Sequence, residues 1–256
     1  MKLKDCGGNA VSFYIPWNWH EPTEGACDFW GRTHPSRDLA GFLELTCELG
    51  LYLIVKPGPF ICNEWRNGAI PQWLLDKHPE IRSLNSKGEF IRRGDYPPVS
   101  YLHPTYLEYV GRWYDQVCAV LSNFVSRRLL LIQPDNEVRL TYTLHDPFLS
   151  DYSVCVGGRQ GEREGLYHQW LRRTYESIRD LNRSYGTAYD DFVEVYLPTI
   201  QPSQPRDLVA LLDWRYFKEW MVLEFIDTLT KMLVARVITD VPVSLNHPLE
   251  PPSWPT

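Results

Sequence analysis

One short apolar run that ends in a block of polar residues constrains this chain most. Residues 129–138 have the sequence LLLIQPDNEV, in which four apolar residues lead directly into the polar segment Gln133–Glu137. An unbroken apolar run of this length predicts a strand buried on both faces, which is typical of a parallel sheet. Polar residues at the carboxyl end of such a strand lie where α/β barrels place their functional groups. The segment therefore predicts a functional site that includes Asn136 and Glu137.

Three other segments are also predicted to be strands. VSFYIPW (Val11–Trp17) is followed by NWHEP, and LYLIVKP (Leu51–Pro57) is followed by GPFICNEW. The last of the three is VPVSLN (Val241–Asn246). The strand predicted in residues 129–133 lies between the second and the last of these segments along the chain. Helical spacing of apolar residues predicts helices over residues 36–50, 107–124, 166–181 and 212–237. Strands that alternate with helices in this way predict a parallel sheet with right-handed crossovers, so the polar strand ends should share one rim.

Length and charge limit the class of protein. The chain has 256 residues, 44% of them hydrophobic, which is enough for one α/β-barrel domain over residues 1–256. Its net charge is −6 and it has no basic tract, so nucleic acid is not expected as a partner. We find no signal peptide and no apolar run of membrane-spanning length, which predicts a cytoplasmic protein without a membrane partner.

Motifs for metals and nucleotides are missing from the sequence. The six cysteines show no CxxC spacing, and His20-Glu21 lacks the second histidine of an HExxH helix. There is also no GK[ST] loop and no GxGxxG fingerprint. We therefore expect neither a metal nor another cofactor.

Long stretches of the chain resemble a known enzyme group. VSFYIPWNWHEPTEG, LYLIVKPGPFICNEWRNGAIPQWLL and LLLIQPDNE resemble glycoside hydrolase family 35 β-galactosidases in order and spacing. HQWLRRTYESIRDLNRSYGTAYDDF and LLDWRYFKEW are more similar to family 42 β-galactosidases. Both families belong to one clan of (β/α)8 barrels with an acid/base glutamate on the fourth strand and a nucleophile on the seventh. The resemblance thus implies a TIM-barrel fold and release of terminal β-D-galactose from a β-galactoside.

The resemblance also implies roles for single residues. Glu137 matches the acid/base, and Asn136 matches its substrate-binding neighbour. Tyr14 and Glu64 match residues that hold the terminal galactose, and Asn63 stands beside them where alanine is commoner.

Simpler interpretations of the same residues stay open at this point. Asn136-Glu137 could be only a strand-to-loop turn, Glu64 could pair with Arg66, and Tyr14 could belong to the barrel core. His20 and Glu21 could hold the rim together through hydrogen bonds or could touch the sugar. Retaining hydrolysis of a glycosidic bond requires two carboxyl groups about 5–5.5 Å apart, one of which is protonated near neutral pH.

Four predicted strands fall short of the eight that a closed barrel needs. By the resemblance they are the second to fifth strands, so the nucleophile is expected outside residues 1–256 and the chain alone is expected to be inactive. The remainder of the barrel would then be its partner. Two alternatives remain: a related β-glucosidase or β-mannosidase type of the same clan, and a non-catalytic sugar-binding fragment.

Overall fold

Three parallel strands form the frame of the molecule. The computed structural model describes residues 2–91, 97–124, 127–138, 150–200, 203–204, 207–236 and 241–246. Its strands are β1 (Ala10–Tyr14), β2 (Tyr52–Gly58) and β3 (Leu129–Pro134). They lie in the order β1-β2-β3, and both neighbouring pairs are parallel. This confirms the predicted parallel sheet, in which the carboxyl ends of the strands share one edge.

The fourth predicted strand, Val241–Asn246, is wrong as a full strand in the part of the chain that the structure describes. It meets β3 through one parallel bridge between Ile132 and Val243. The amide of Ile132 donates to Pro242 O and the amide of Ser244 donates to Ile132 O, both at 3.0 Å. Extending this ladder would need an N–H from Pro242 on one side and from Pro134 on the other, and neither proline has one, so pairing is limited to a single bridge. The segment nevertheless runs beside β3 in the predicted direction.

Helices connect and cover the strands. Their bounds are α1 Lys2–Asp5, α2 Trp17–His20, α3 Leu39–Glu48, α4 Gln72–Lys77, α5 Pro104–Leu121, α6 Val154–Gly157, α7 Leu166–Thr174, α8 Ile178–Tyr185 and α9 Asp207–Val234. Short 3-10 turns cover Pro35–Arg37, Cys62–Glu64, Arg66–Ala69, Pro79–Ile81, Ser122–Phe124 and Phe192–Glu194. None of the described helices, α9 included, combines the length and the apolar character of a bilayer-spanning segment.

All four predicted helices differ in their bounds from the observed ones: α5 begins at Pro104 and α9 at Asp207, three and five residues before the predicted starts. The other two differ because of caps. The helix expected over residues 166–181 is divided into α7 and α8, because Ser177 caps α8 by accepting a hydrogen bond from the amide of Asp180. The helix expected from Ser36 begins instead at Leu39, where the carboxylate of Asp38 accepts from the amide of Gly41 at 2.9 Å.

Aromatic residues of α5 fix the carboxyl end of β2. Trp113 Nε1 donates to Pro57 O and the hydroxyl of Tyr114 donates to Gly58 O, both at 2.7 Å. The ring of Trp113 stacks on that of Trp17, with centroids 5.8 Å apart, and both side chains are buried. Trp17 is therefore core and opens α2, although it was expected as the last residue of the first strand. This packing holds the loops beyond β1 and β2 against one scaffold.

Candidate active site

The polar residues predicted to share a rim come from three strand ends. Tyr14 is the last residue of β1, Glu64 follows β2 in the turn Cys62–Glu64, and Asn136 and Glu137 follow β3 directly. The hydroxyl of Tyr14 donates to Asn136 Oδ1 at 3.0 Å, which joins the outer two strands. Carboxylate oxygens of Glu64 and Glu137 lie within 4.8 Å of each other. The structure thus brings these four predicted residues together.

The fifth predicted residue, Asn63, is described only in part. Its backbone lies in the 3-10 turn Cys62–Glu64, at the same rim as the other four. Its side chain lies outside the described part of the chain. The role of Asn63, like those of the other four residues, stays a prediction.

Asn136 is the most enclosed member of the group. Its side chain is fully buried, and Asn136 Oδ1 accepts from Tyr14 OH, from Gln133 Nε2 at 3.2 Å and from Asn246 Nδ2 at 2.7 Å. Asn136 Nδ2 is also buried but has no hydrogen-bond partner among the described residues. A buried donor left unpaired costs about 1–3 kcal/mol.

Three of the five non-glycine residues with positive φ in the described part of the chain lie at this rim, and the other two lie in the turn Arg66–Ala69. Asp135 and Glu137, on either side of Asn136, have φ of +59° and +50°, and Cys62 has φ of +52°. Non-glycine residues in this region cost on the order of 1–3 kcal/mol each. Such strain clusters at functional sites. The loop after β3 is thus held in a conformation that a simple strand-to-loop turn does not require.

Tyr14 faces the acidic side of the rim. Burial, followed by the negative charges of Glu64 and Glu137, raises the pKa of Tyr14 above its usual value of 10. Lys56 Nζ lies 3.5 Å from the Tyr14 hydroxyl and 4.6 Å from the ring centroid. Tyr14 therefore remains a protonated hydrogen-bond donor at neutral pH.

Asp135 is a buried carboxyl group beneath this surface. Burial raises its pKa to about 8, although the amides of Phe60 and Asn136 donate to its Oδ1 at 3.1 and 3.0 Å. At neutral pH the group is mostly protonated, so it adds little negative charge beside Glu137.

One group among the described residues has ligating atoms close enough for a metal ion. It consists of Cys62, Glu64 and Glu137, whose donor atoms all lie within 4.8 Å of one another. A thiolate and two carboxylates are ligands that Zn²⁺ accepts. The expectation that the chain binds no metal stays a prediction.

His20 and Glu21 belong to the framework of the rim. His20 Nδ1 lies 2.7 Å from Asp28 O, and burial lowers the pKa of His20. The carboxylate of Glu21 accepts from Trp17 Nε1 at 2.6 Å and from the amide of Gly25 at 2.8 Å. These contacts favour the structural interpretation of the two side chains over direct contact with a ligand.

Asn246 is a site residue that sequence analysis missed. Its Nδ2 donates to Asn136 Oδ1, and its Oδ1 accepts from the amide of Glu137 at 3.1 Å and from Gln133 Nε2 at 2.7 Å. One side chain, 109 residues away from Glu137, thus holds both residues of the Asn-Glu pair. The available signal was an amide residue at the end of a predicted strand.

Replacing Asn246 by alanine is expected to lower the free energy of unfolding by about 1–2 kcal/mol, because three hydrogen bonds to the rim are lost. Chemical denaturation measures the effect. Leu245→Ala is the matched control, because that neighbouring side chain is 48% exposed and should change stability by less than about 0.5 kcal/mol. Equal effects of the two substitutions would contradict the positioning role of Asn246.

Comparisons with known proteins agree on one enzyme group. The family model Glyco_hydro_42, described as beta-galactosidase, matches residues 1–252. The exo-beta-D-glucosaminidase of Pyrococcus horikoshii is 44% identical over 250 residues, which are 96% of this chain and 31% of that protein. The corresponding Thermococcus kodakarensis enzyme is 41% identical over 251 residues, which are 97% of this chain and 31% of that protein. The chain therefore spans about a third of the length of these relatives.

A solved structure shows the same fold. The polyextremophilic β-galactosidase of the Antarctic haloarchaeon Halorubrum lacusprofundi matches with a TM-score of 0.71 at 21% identity, over 95% of this chain and 33% of that chain. The three-stranded sheet is thus part of the α/β fold of these glycosidases.

The expected membership of glycoside hydrolase family 35 is wrong. The matching family model is Glyco_hydro_42, and it covers the strand-end motifs of the first half as well as the later helices. The strand-end motifs misled the assignment because they report on a rim that the two families share by resemblance. The similarity of HQWLRRTYESIRDLNRSYGTAYDDF to family 42 was the better guide.

Proposed function

The chain belongs to the Glyco_hydro_42 β-galactosidase family, and from this membership we propose that it is part of the catalytic barrel of a retaining exo-β-galactosidase. In this proposal residues 1–256 are one partial barrel domain. The three strands and the segment Val241–Asn246 supply the second to fifth barrel strands. The substrate is a sugar with a terminal β-D-galactose.

The observation that carries the proposal is the convergence of polar side chains from three strand ends on one rim. The hydroxyl of Tyr14 contacts Asn136 Oδ1 at 3.0 Å, and carboxylate oxygens of Glu64 and Glu137 lie within 4.8 Å of each other. The hydroxyl groups of a sugar can donate to carboxylates and accept from polar donors at such a rim. Tyr14 and Glu64, which come from the other two strand ends, supply acceptor oxygens for sugar hydroxyls, since the Tyr14 proton is donated to Asn136 Oδ1.

Glu137 is assigned the acid/base role. Retaining hydrolysis needs a carboxylic acid that protonates the leaving oxygen and then, as a carboxylate, removes a proton from the attacking water. Glu137 lies three residues after the end of β3, and its amide donates to Asn246 Oδ1 at 3.1 Å. The nucleophile is assigned to a glutamate on the seventh barrel strand, outside residues 1–256.

A terminal β-D-glucosamine is a second candidate for the sugar. The two archaeal relatives that are 44% and 41% identical are named exo-beta-D-glucosaminidases. Glucosamine carries an ammonium group, and the neighbouring carboxylates of Glu64 and Glu137 would attract it.

Sugar binding to the purified 256-residue chain tests the proposal and separates the two sugars. Calorimetry or NMR titration measures the affinity of the chain for four methyl glycosides: the β-D-galactoside, β-D-glucosaminide, β-D-glucoside and β-D-mannoside. We expect the galactoside to bind most tightly, and Glu64→Gln to weaken its binding by about tenfold or more, because hydrogen bonds to charged groups contribute about 1.5–3 kcal/mol. Tightest binding of the glucosaminide, with strong salt dependence, would select the second candidate.

Glu162→Gln is the control for this measurement. Glu162 is exposed and lies in the turn between Arg159 and Arg163, outside the group of candidate site residues. This variant should bind all four glycosides as the unmodified chain does. Equal loss of binding in Glu64→Gln and Glu162→Gln would remove Glu64 from the site, and binding of none of the four sugars would overturn the proposed function.

A further inference from the structure

The backbone of Glu137 is held in a conformation that needs support from other parts of the chain. Its φ is +50°, in the left-handed region, and the φ of Asp135 two residues earlier is +59°. Residues other than glycine keep this conformation only where surrounding contacts hold them in it. The contacts of this segment therefore decide the direction in which the side chain of Glu137 leaves the backbone.

The sheet itself does not supply these contacts. Between β3 and Val241–Asn246 the structure has one bridge, from Ile132 to Val243. Beyond this bridge the amide of Glu137 donates to a side chain, Asn246 Oδ1, at 3.1 Å. In a longer ladder that partner would be a backbone carbonyl. The side chain of Asn246 thus continues the connection between the two segments past the point where backbone pairing ends.

A second side-chain amide, that of Gln133, fixes the orientation of Asn246. Gln133 is 5% exposed, and its Nε2 donates to Asn246 Oδ1 at 2.7 Å and to Asp135 O at 3.0 Å. Two donors, Gln133 Nε2 and the amide of Glu137, therefore converge on Asn246 Oδ1. Asn246 Nδ2 is left to donate to Asn136 Oδ1, which it does at 2.7 Å. We call Gln133 and Asn246 the amide clamp.

The amide clamp contacts the backbone of Glu137 and leaves its carboxyl group at the rim. The contact is made by the amide of Glu137, whereas a carboxylate oxygen of the same residue lies within 4.8 Å of one of Glu64. A general acid must bring its carboxyl group within hydrogen-bond distance of the atom that receives the proton. A misplacement of about 1 Å can cost about a hundredfold in rate. Small changes in this backbone therefore matter for the chemistry.

We propose that the amide clamp positions Glu137 for proton donation to the leaving oxygen. The inference rests on the proposed function, in which Glu137 is the acid/base. Gln133 and Asn246 are positioning residues in this proposal, because they act on the reaction only through the backbone and neighbours of Glu137. Loss of the clamp should leave the terminal sugar ring bound while its leaving oxygen loses the proton donor.

Two neutral sugar probes test the clamp in the full 256-residue chain. One is methyl β-D-galactoside, and the other is a galactose-derived imidazole whose basic nitrogen lies where a β-glycoside has its leaving oxygen. A correctly placed Glu137 gives this nitrogen a charge-assisted hydrogen bond, so we expect the imidazole to bind about tenfold or more tightly. Calorimetry measures the ratio of the two affinities. A change that only weakens the grip on the sugar ring lowers both affinities and leaves this ratio unchanged.

Asn246→Ala should lower the ratio by about tenfold, as Glu137→Gln should, and should change the affinity for methyl galactoside by no more than about twofold. Asn246→Asp keeps an oxygen that accepts from the amide of Glu137, so it should retain most of the ratio. Asn123→Ala is the matched control, because Asn123 is exposed in the turn Ser122–Phe124 that precedes β3, whereas the rim follows it. It should keep the full ratio, and near-ultraviolet circular dichroism of each variant checks its folding.

The outcomes separate the clamp from the function on which it rests. A ratio that survives in Asn246→Ala, or that falls equally in Asn123→Ala or in Asn246→Asp, overturns the clamp alone. Equal weakening of both probes in Asn246→Ala gives Asn246 a merely structural role and also overturns it. An unmodified chain that binds methyl galactoside but shows no gain for the imidazole overturns the acid/base placement of Glu137 together with the clamp. Binding of neither probe overturns the proposed function.

Discussion

Replacing Glu137 by glutamine is expected to lower the turnover of an alkyl β-galactoside by about 10²–10⁴-fold, the usual contribution of a general acid/base. Glutamine keeps the size of the side chain but cannot give a proton to the leaving oxygen. A 4-nitrophenyl galactoside should lose less in its first chemical step, because its leaving group needs less protonation. The dependence on the leaving group distinguishes lost proton transfer from lost binding.

The measurement needs the nucleophile that the proposal assigns to another strand. For this measurement the matched 250 residues of this chain replace the matching third of the Pyrococcus horikoshii exo-beta-D-glucosaminidase, and the chimera is first measured on both the alkyl β-galactoside and the alkyl β-glucosaminide. Added azide should accelerate the second step in the Glu137→Gln chimera and yield a β-galactosyl azide, because azide attacks without a general base. Glu162→Gln in the same chimera should keep full turnover. Undiminished cleavage of the alkyl galactoside by Glu137→Gln would remove Glu137 from the mechanism.

Strand ends were the part of this site that could be predicted from the sequence. The apolar runs are short and bounded by turn residues, which favours strands over helices, and parallel strands bring their carboxyl ends to one edge. Tyr14, Glu64, Asn136 and Glu137 therefore meet although Tyr14 and Asn136 are 122 residues apart. No contact had to be known in advance, because the alternation of strands and helices was sufficient.

Other features depended on tertiary contacts that the sequence does not display. Asn246 reaches Glu137 only because Val243 pairs with Ile132 for a single bridge, which a periodicity argument cannot anticipate. The division between α7 and α8 depends on the cap at Ser177 and on a hydrogen bond of 2.6 Å from Tyr175 to Asp213, a residue of α9. The family assignment was wrong because it was based on the strand-end motifs, whereas the matching family model covers residues 1–252 as a whole.

The buried carboxyl group of Asp135 predicts an unusual dependence of stability on pH. Its pKa is about 8 in the folded chain against 3.8 for an unperturbed aspartate, because burial disfavours the charged form. Between these pH values the folded chain binds a proton that the unfolded chain has released. Unfolding is therefore favoured as pH rises. The contribution of protonated Asp135 to the free energy of unfolding is complete below about pH 4 and is lost as pH rises towards 8. The total loss of unfolding free energy is on the order of 5 kcal/mol.

Asp135→Asn is expected to remove this dependence. The asparagine keeps an oxygen that accepts from the amides of Phe60 and Asn136, but it cannot ionise. Its new NH₂ group takes the place of Asp135 Oδ2, which is buried without a partner among the described residues. Below pH 4 the protonated Asp135 carries an unpaired O–H at the same position, so the two proteins should differ by no more than about 1 kcal/mol there. At pH 9 the variant should be the more stable protein, because only the unmodified chain then has to bury a charge.

The quantity to measure is the difference in unfolding free energy, variant minus unmodified chain, from urea titrations between pH 4 and pH 9. We expect it to rise by about 5 kcal/mol over this range. Asp151, another buried carboxyl group whose pKa is raised by burial, contributes to both proteins and cancels in the difference. Asp190→Asn, at an exposed position, is the control and should give a difference that stays within about 0.5 kcal/mol at every pH. A flat difference for Asp135→Asn would mean that Asp135 is ionised in the folded chain, and the rim beside Glu137 would then carry an extra negative charge.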